Sequence, residues 1–325
     1  MPIPLNEEIA ASAALSMVLE ASSYPKPGNV HRLSDFEDTS FEHFLASALS
    51  AQSVFLKSAA VSEKEETFSF GPLFQEAVFK SRSAQSGGNT HFGTLILLLP
   101  LAAAAGSILK ERKNENLKKK RREKITQKAS EICKTTTAKD AILFYETFST
   151  LSIPVQKTEK KQKDHDFDLK SAAAVDKIKS ENISLFELMI MGAGRDMVAA
   201  EWVNGFDKSR RFARKLWKNK ARFEAHPEKC FGSVINSAVV YTFLEAMAAY
   251  PDTFIAAKSD EQTALKVQKK AMKILKKSKS KNLKKIMPDI QKLDKKLRKK
   301  KLNPGSLADI TAAGIFIGLA EGLKI

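Results

Sequence analysis

Residues 5–22, LNEEIAASAALSMVLEAS, carry the reading that decides the fold. Ile9, Ala13, Leu15, Val18 and Leu19 recur at three- and four-residue steps, the period of an α-helix with one apolar face. Two prolines and a glycine between Tyr24 and Asn29 then forbid helix. The same alternation of apolar helix and polar break runs through the rest of the chain. Residues 40–60 and 72–84 read as helices. A Gly87-Gly88 break precedes the apolar run Thr94 to Leu109, which is short for a membrane span and holds Pro100. It reads as a buried helix pair or a kinked helix. Residues 126–151 and 171–191 read as helices divided by a polar loop, 157–168. Residues 206–225 form a basic amphipathic helix, and residues 232–249 a small-residue helix stopped by Pro251. A break at Asn303 to Gly305 leads to a final helix, Leu307 to Leu323. No strand series and no internal repeat is visible. The expectation is an all-α protein, a single compact multi-helix domain over residues 1–325.

Composition narrows the class. With 325 residues, 43% of them hydrophobic, the chain can bury a substantial core. Two cysteines, Cys133 and Cys230, exclude a disulfide scaffold and a cysteine zinc cluster and suit a reducing cytoplasm. The start, MPIPLNEEIA, lacks the basic and apolar regions of a signal peptide. The expected location is cytoplasmic, with no membrane partner. An apolar-rich helical fold of this kind is compatible with a homodimer.

The net charge of +17 is local: residues 258–301 hold 18 Lys and Arg against 4 Asp and Glu, or +14, leaving +3 for the remainder. A second basic cluster, Lys110 to Lys124, carries 9 against 3. Within 258–301 the apolar residues Leu265, Ala271, Met272, Leu275, Leu283, Ile286, Ile290, Leu293 and Leu297 keep a helical period. A solvated amphipathic helix explains the pattern, and so does a polyanion-binding surface. No aromatic residue lies between Thr263 and Lys301, so stacking on single-stranded bases is not supported.

Five breaks between helices gather polar residues suited to chemistry: PKPGNVHR (25–32), GGNTHFG (87–93), GRDMVAAEW (194–202), PDTF (251–254) and NPGSLADI (303–310). Each alone reads as helix capping, with Asp309 a first-turn acid and Asn89 or Thr90 a cap. Together they offer more. Gly87 and Gly88 let backbone N–H groups approach an anion ahead of a helix N-terminus. Lys26 and Arg32 bring positive charge. Asp196, Glu201, Asp252 and Asp309 suit magnesium or acid–base work. His31 and His91 are proton carriers, whereas His43, His165 and His226 occupy ordinary contexts.

These breaks, in this order, resemble the triphosphoribosyl-dephospho-CoA synthase family, which makes the prosthetic-group precursor of citrate lyase and malonate decarboxylase. The family pattern of PKPG, GG-V-NTH-x-G, PDT and NPG-x-x-AD reads here PKPGNVHR, GGNTHFG, PDTF and NPGSLAD, over roughly Ala11 to Gly322. There are departures. Asn29-Val30-His31 replaces a hydrophobic residue followed by Val-Asp. The glycine motif is one residue shorter, with Phe92 where lysine is usual. IAAK follows PDTF where a basic pair is common. They leave the acceptor open.

The resemblance implies pentosyl transfer, in which ATP gives its triphosphoribosyl group to a hydroxyl of dephospho-CoA and adenine leaves. It implies phosphate or ribose contacts from Lys26, Arg32, Asn89 and Thr90, with backbone approach at Gly87 and Gly88. Glu76 matches an acidic position of the family and joins Asp196 and Glu201 as an expected magnesium ligand. Asp252 and Asp309 are the expected catalytic carboxylates, and His91 the proton donor to adenine or a phosphate contact. Two other readings stand beside this one: ATP-dependent ribosyl transfer to another alcohol in cofactor biosynthesis, such as that of a methanopterin, and a basic helical scaffold that binds nucleic acid.

Overall fold

The computed structural model describes residues 3–61, 68–109, 118–150, 172–278 and 282–325. The expected loop 157–168 with His165, and part of the Lys110 to Lys124 cluster, lie outside the described residues. The described residues form fifteen α-helices and no strand, so the all-α expectation holds. Their buried apolar side chains make one continuous cluster.

Three helices build its centre: α1 (Leu5–Ser22), α4 (Phe92–Leu109) and α15 (Gly305–Ala320), which pack on one another. Around them lie α2 (Phe41–Ala60), α3 (Phe70–Ser83) and α5 (Lys118–Lys134), with α10 (Asp207–Ala225) and α11 (Val234–Ala249) against α15. The apolar run is one helix, α4, rather than a pair. It is long and apolar enough to cross a membrane, but 83% of its residues are buried in the protein, the mark of a core helix. Pro100 sits inside α4 and lacks the N–H that would bond to the Ile96 carbonyl. The Trp202 indole donates to that carbonyl instead, at 3.1 Å. The freed acceptor is thus satisfied from a neighbouring helix, α9 (Met197–Val203).

Two expected helices are each divided. Residues 126–151 become α5 and α6 (Ala138–Thr150), because Asp140 accepts from both the backbone N–H and the hydroxyl of Thr137 and starts a new helix. Residues 171–191 become α7 (Ala172–Glu181) and α8 (Leu185–Gly192), where Ser184 and Glu187 form a capping box. On α1 the buried face runs through Ile9, Ala10, Ala13, Ala14, Met17 and Ala21 and leaves Leu15 exposed, against expectation.

The lysine-rich region is two amphipathic helices, α13 (Glu261–Lys277) and α14 (Leu283–Lys299), following the short α12 (Thr253–Lys258). Val267, Ala271, Ile274, Ile286, Ile290, Leu293 and Leu297 are buried, while Met272 is exposed. The inner face of α14 holds the PKPG loop. Asp294 accepts from the Gly28 N–H at 2.9 Å and lies 3.3 Å from the buried His31 ring. Arg298 donates to the carbonyls of Asn29, Ser34 and Asp35. Gly28 has φ +83°, and a Cβ there would meet the Leu302 carbonyl at 2.6 Å, so only glycine fits beneath the helix.

Candidate active site

The start of each helix that follows a polar break is drawn toward one place. Asp252 caps α12 by accepting from Ile255 N–H at 2.9 Å, and its other oxygen accepts from Leu307 N–H in the first turn of α15 at 2.8 Å. The Thr253 hydroxyl accepts from Met197 N–H at the start of α9 (3.1 Å) and shares a hydrogen bond with Ser306 (2.9 Å). Asp196 caps α9 through Val198 and Ala199 at 2.6 and 3.2 Å. The Thr94 hydroxyl, in the first turn of α4, donates to Asp309 Oδ1 at 2.6 Å. A Cβ at Gly93 would overlap the Asp309 carboxylate, so glycine is what lets that acid reach α4.

Beneath these groups lies an ion pair. Lys26 Nζ donates to the Glu20 carboxylate and, at 2.8 Å, to the Glu20 carbonyl. Lys26 is 1% exposed and Glu20 3%. Burial pushes the Glu20 carboxyl up and the Lys26 ammonium down, and each charge offsets part of the shift in the other. Asp309 also acts on Lys26 electrostatically.

Depth sorts the groups. Glu20, Lys26, His91, Thr94 and Asp252 are buried, whereas Asp309 is half-buried and Asp196 exposed, so these two carboxylates face solvent above the ion pair. Protein packed around Asp309 pushes its carboxyl up to about 8, and the charges of Glu20, Asp196 and Asp252 add to the push. Burial pushes Asp252 up to about 7 against the opposing effect of its backbone donors. Burial and the Lys26 charge take His91 down to about 3.

The expected site residues therefore separate into two sets. Lys26, Asp196, Asp252, Asp309 and His91 share one neighbourhood. His91 is neutral there, its Nδ1 3.0 Å from Ser47 Oγ and its Nε2 without a protein partner among the described residues. Of its two expected roles, a neutral imidazole suits the phosphate contact, where it offers a hydrogen bond, better than proton donation to adenine. Asn89, exposed, and Thr90, half-buried, precede α4 and make no side-chain hydrogen bond among the described residues.

Four other expected groups are engaged by protein partners. Glu76 stands between Lys57 (2.7 Å) and Lys80 (3.3 Å) on the surface of α3, its carboxylate held by ammonium groups. Both oxygens of Glu201 accept from the N–H groups of Lys208 and Ser209, at 2.9 and 2.8 Å. They cap α10, whose first residue follows Phe206 at φ +56° with no cap of its own. Arg32 donates to the Ser22 carbonyl behind α1. The N–H groups of Gly87 and Gly88 are already taken by Gln85 and by Asp38 with Thr39. What these glycines permit is close packing on His43 and Asp38.

Three residues were passed over. Glu20 falls on the buried face of α1, three residues after Met17, where an acid demands a partner. Thr94 begins the apolar run. Lys258, in the position noted only as a departure, is exposed, with its ammonium over the Phe254 ring at 4.4 Å and within the field of Asp38.

Among the described residues no three His, Cys, Asp or Glu side chains converge on a metal position. Magnesium needs fewer: it uses one or two carboxylates and completes its shell with water and phosphate oxygens. Asp309 Oδ2, beside Gly93, and the second oxygen of Asp196 carry no hydrogen bond among the described residues, and both are hard oxygen donors. They fit that role.

Such a constellation, carboxylates with raised pKa over a buried lysine beside helix N-termini, defines an enzyme site for an anionic substrate. The sequence profile of the ATP:dephospho-CoA triphosphoribosyl transferase family matches residues 6–324, and the chain belongs to that family of transferases. A crystal structure from Archaeoglobus fulgidus, of a candidate triphosphoribosyl-dephospho-CoA synthase, is similar at 27% identity. The match covers 86% of this chain and 100% of that one, with a TM-score of 0.60. A search of curated proteins finds no significant match.

Proposed function

We propose that the cluster centred on Asp309 carries out the family reaction, with the free Asp309 oxygen as the base. The observation that carries this is its placement. Oδ1 is held by Thr94, Oδ2 carries no hydrogen bond among the described residues, and burial raises the carboxyl to about 8, so that its ionised form is a strong base.

The step balances as follows. A hydroxyl of dephospho-CoA attacks the anomeric carbon of the ATP ribose, forming a C–O bond. The C–N bond to adenine breaks, and adenine leaves with its electron pair and takes up a proton. The hydroxyl proton passes to Asp309 and from it, directly or through water, to the departing adenine, so the base is regenerated and no proton is gained or lost. The triphosphate stays on the ribose. The carbon is cation-like at the transition state, and the carboxylates around it stabilise that charge.

The triphosphate is matched by the N-termini of α4 and α15, by Lys26 at the base of the cluster and by Lys258 at its side. Asn89 and Thr90 offer polar contacts ahead of α4. Magnesium brought with the nucleotide fits the free oxygen of Asp196, where it would neutralise phosphate charge and leave Asp309 Oδ2 open as the base. Asp252 and Glu20 hold the frame: Asp252 joins α12 to α15, and Glu20 fixes Lys26. A reducing compartment such as the cytoplasm suits the two free cysteines.

Adenine release from ATP with magnesium, measured with and without dephospho-CoA, tests the proposal. Release that needs dephospho-CoA, with a product of the summed mass, is the expected result. Asp309→Asn lowers that rate by about 10²-fold or more, the span of a lost acid–base group. A full rate in Asp309→Asn removes the proposed base, and release without any acceptor redirects the search to another alcohol.

A further inference from the structure

We infer that the outer faces of α13 and α14 form a binding surface for the phosphodiester backbone of double-stranded nucleic acid, a function separate from transfer. Lys266 and Lys270 stand one turn apart on α13; Lys296 and Lys300 stand one turn apart at the end of α14, and Lys270 meets the charges of all three others across the packed helices. Among the described residues no carboxylate forms an ion pair with this group. Of the four acids of the region, Asp260 caps α13 and also acts on Lys266, Glu261 lies in the first turn of α13, Asp289 pairs with Lys277, and Asp294 holds Gly28 and His31. Lys269, Lys273, Lys276, Lys284, Lys285, Lys292, Lys295 and Lys299 likewise lack an acidic partner among the described residues. Crowding Lys270 against like charges is unfavourable in the free protein, and an anion relieves it.

Three features select the phosphate polymer over other anions. Each helix has 17 residues and spans about 25 Å, too long for one nucleotide. A duplex carries about 15 phosphates over that length, close to the excess charge of the region. Second, all the basic residues of 258–301 but one are lysine, and the lone Arg298 is occupied with loop carbonyls. Lysine meets phosphate as a point charge; the planar fork that pairs two-to-two with a protein's carboxylates is missing. Third, no aromatic residue lies between Thr263 and Lys301, so bases cannot be stacked and only a backbone can be read.

The inference does not rest on the transferase reading. Its test uses the full chain and labelled duplexes of about 20 base pairs, one DNA and one RNA, by fluorescence anisotropy between about 50 and about 200 mM NaCl. The expected result is binding that falls steeply with salt and is indifferent to base order. The fourfold variant Lys266→Glu, Lys270→Glu, Lys296→Glu and Lys300→Glu loses roughly tenfold or more in affinity and flattens the salt slope. The matching fourfold Lys→Arg variant binds as the parent does, and both keep full adenine release. A preference for DNA or for RNA names the source of the polyanion. Unchanged binding by the Glu variant overturns the inference. Displacement of the duplex by polyglutamate at equal charge also overturns it, in favour of an acidic protein partner.

Discussion

Lys26 and Lys270 are the same residue type in opposite circumstances. Lys26 is enclosed, with Glu20 as its partner and Asp309 nearby; Lys270 is half-buried among Lys266, Lys296 and Lys300. Burial pushes both ammonium groups down, but opposite charge works against that push at Lys26 while like charge works with it at Lys270. A buried charge cannot persist without a partner, so Lys26 reports a built site. A solvated charge can, so the lysine face acquires meaning only from its number, spacing and missing counter-ions. The helix α14 belongs to both regions, since Asp294 and Arg298 on its inner face hold the PKPG loop that carries Lys26.

The comparison is broken most forcibly at the buried end. Lys26→Met leaves Glu20 enclosed and unpaired, and it lowers stability by about 3–5 kcal/mol. Adding Glu20→Gln removes the orphaned charge and restores most of that loss, while adenine release stays abolished because the triphosphate has lost its cation. Urea midpoints of the single and double variants, read beside activity, separate the two effects. A double variant as unstable as the single one would show that the pair acts through packing and not charge.

A smaller effect sharpens the same point through pH. The folded Asp309 carboxyl stands near 8 against an ordinary value of 3.8. A group raised on folding contributes stability below its unfolded value and loses it as pH rises through the folded one. The free protein therefore loses stability between about pH 4 and pH 8 through this group. Asp309→Asn removes that part of the slope, so the melting curves of variant and parent approach at acid pH and diverge in the variant's favour toward pH 8. Equal slopes in both proteins would place the titration elsewhere.

How far these regions were legible in the sequence follows from the same physics. Helix identity was, because apolar period is local; so were the polar breaks, because proline and glycine stop helices wherever they fall. The divisions at Thr137 and Ser184 left local signals too: an acid three residues after a threonine, and glutamate three residues after a serine. Glu20 was legible by counting along the buried face of α1. The separation of Glu76 and Glu201 from the cluster was not, since an acid beside a motif looks the same whether it faces a ligand, a lysine or the N–H groups of a following helix. Nor was the grip of Asp294 on Gly28, which joins positions far apart in the chain through tertiary packing alone.

The smallest expected effect lies at the exposed end. Lys270→Gln removes one ammonium from a group of four without touching the core, since Val267, Ala271 and Ile274 carry the buried face of α13. Like charges one helical turn apart cost a few tenths of a kcal/mol, so the variant gains roughly 0.2–0.5 kcal/mol, or about 1 °C in Tm. The gain belongs to low salt and fades as the Debye length shortens below the spacing of the lysines. A duplex reverses its sign: with nucleic acid bound, the parent is stabilised more than the variant, because each lysine now meets a phosphate. Calorimetry at low and high salt, with and without the duplex, reads all four conditions. A gain that survives high salt would assign the cost at Lys270 to its side-chain packing and not to its neighbours' charge.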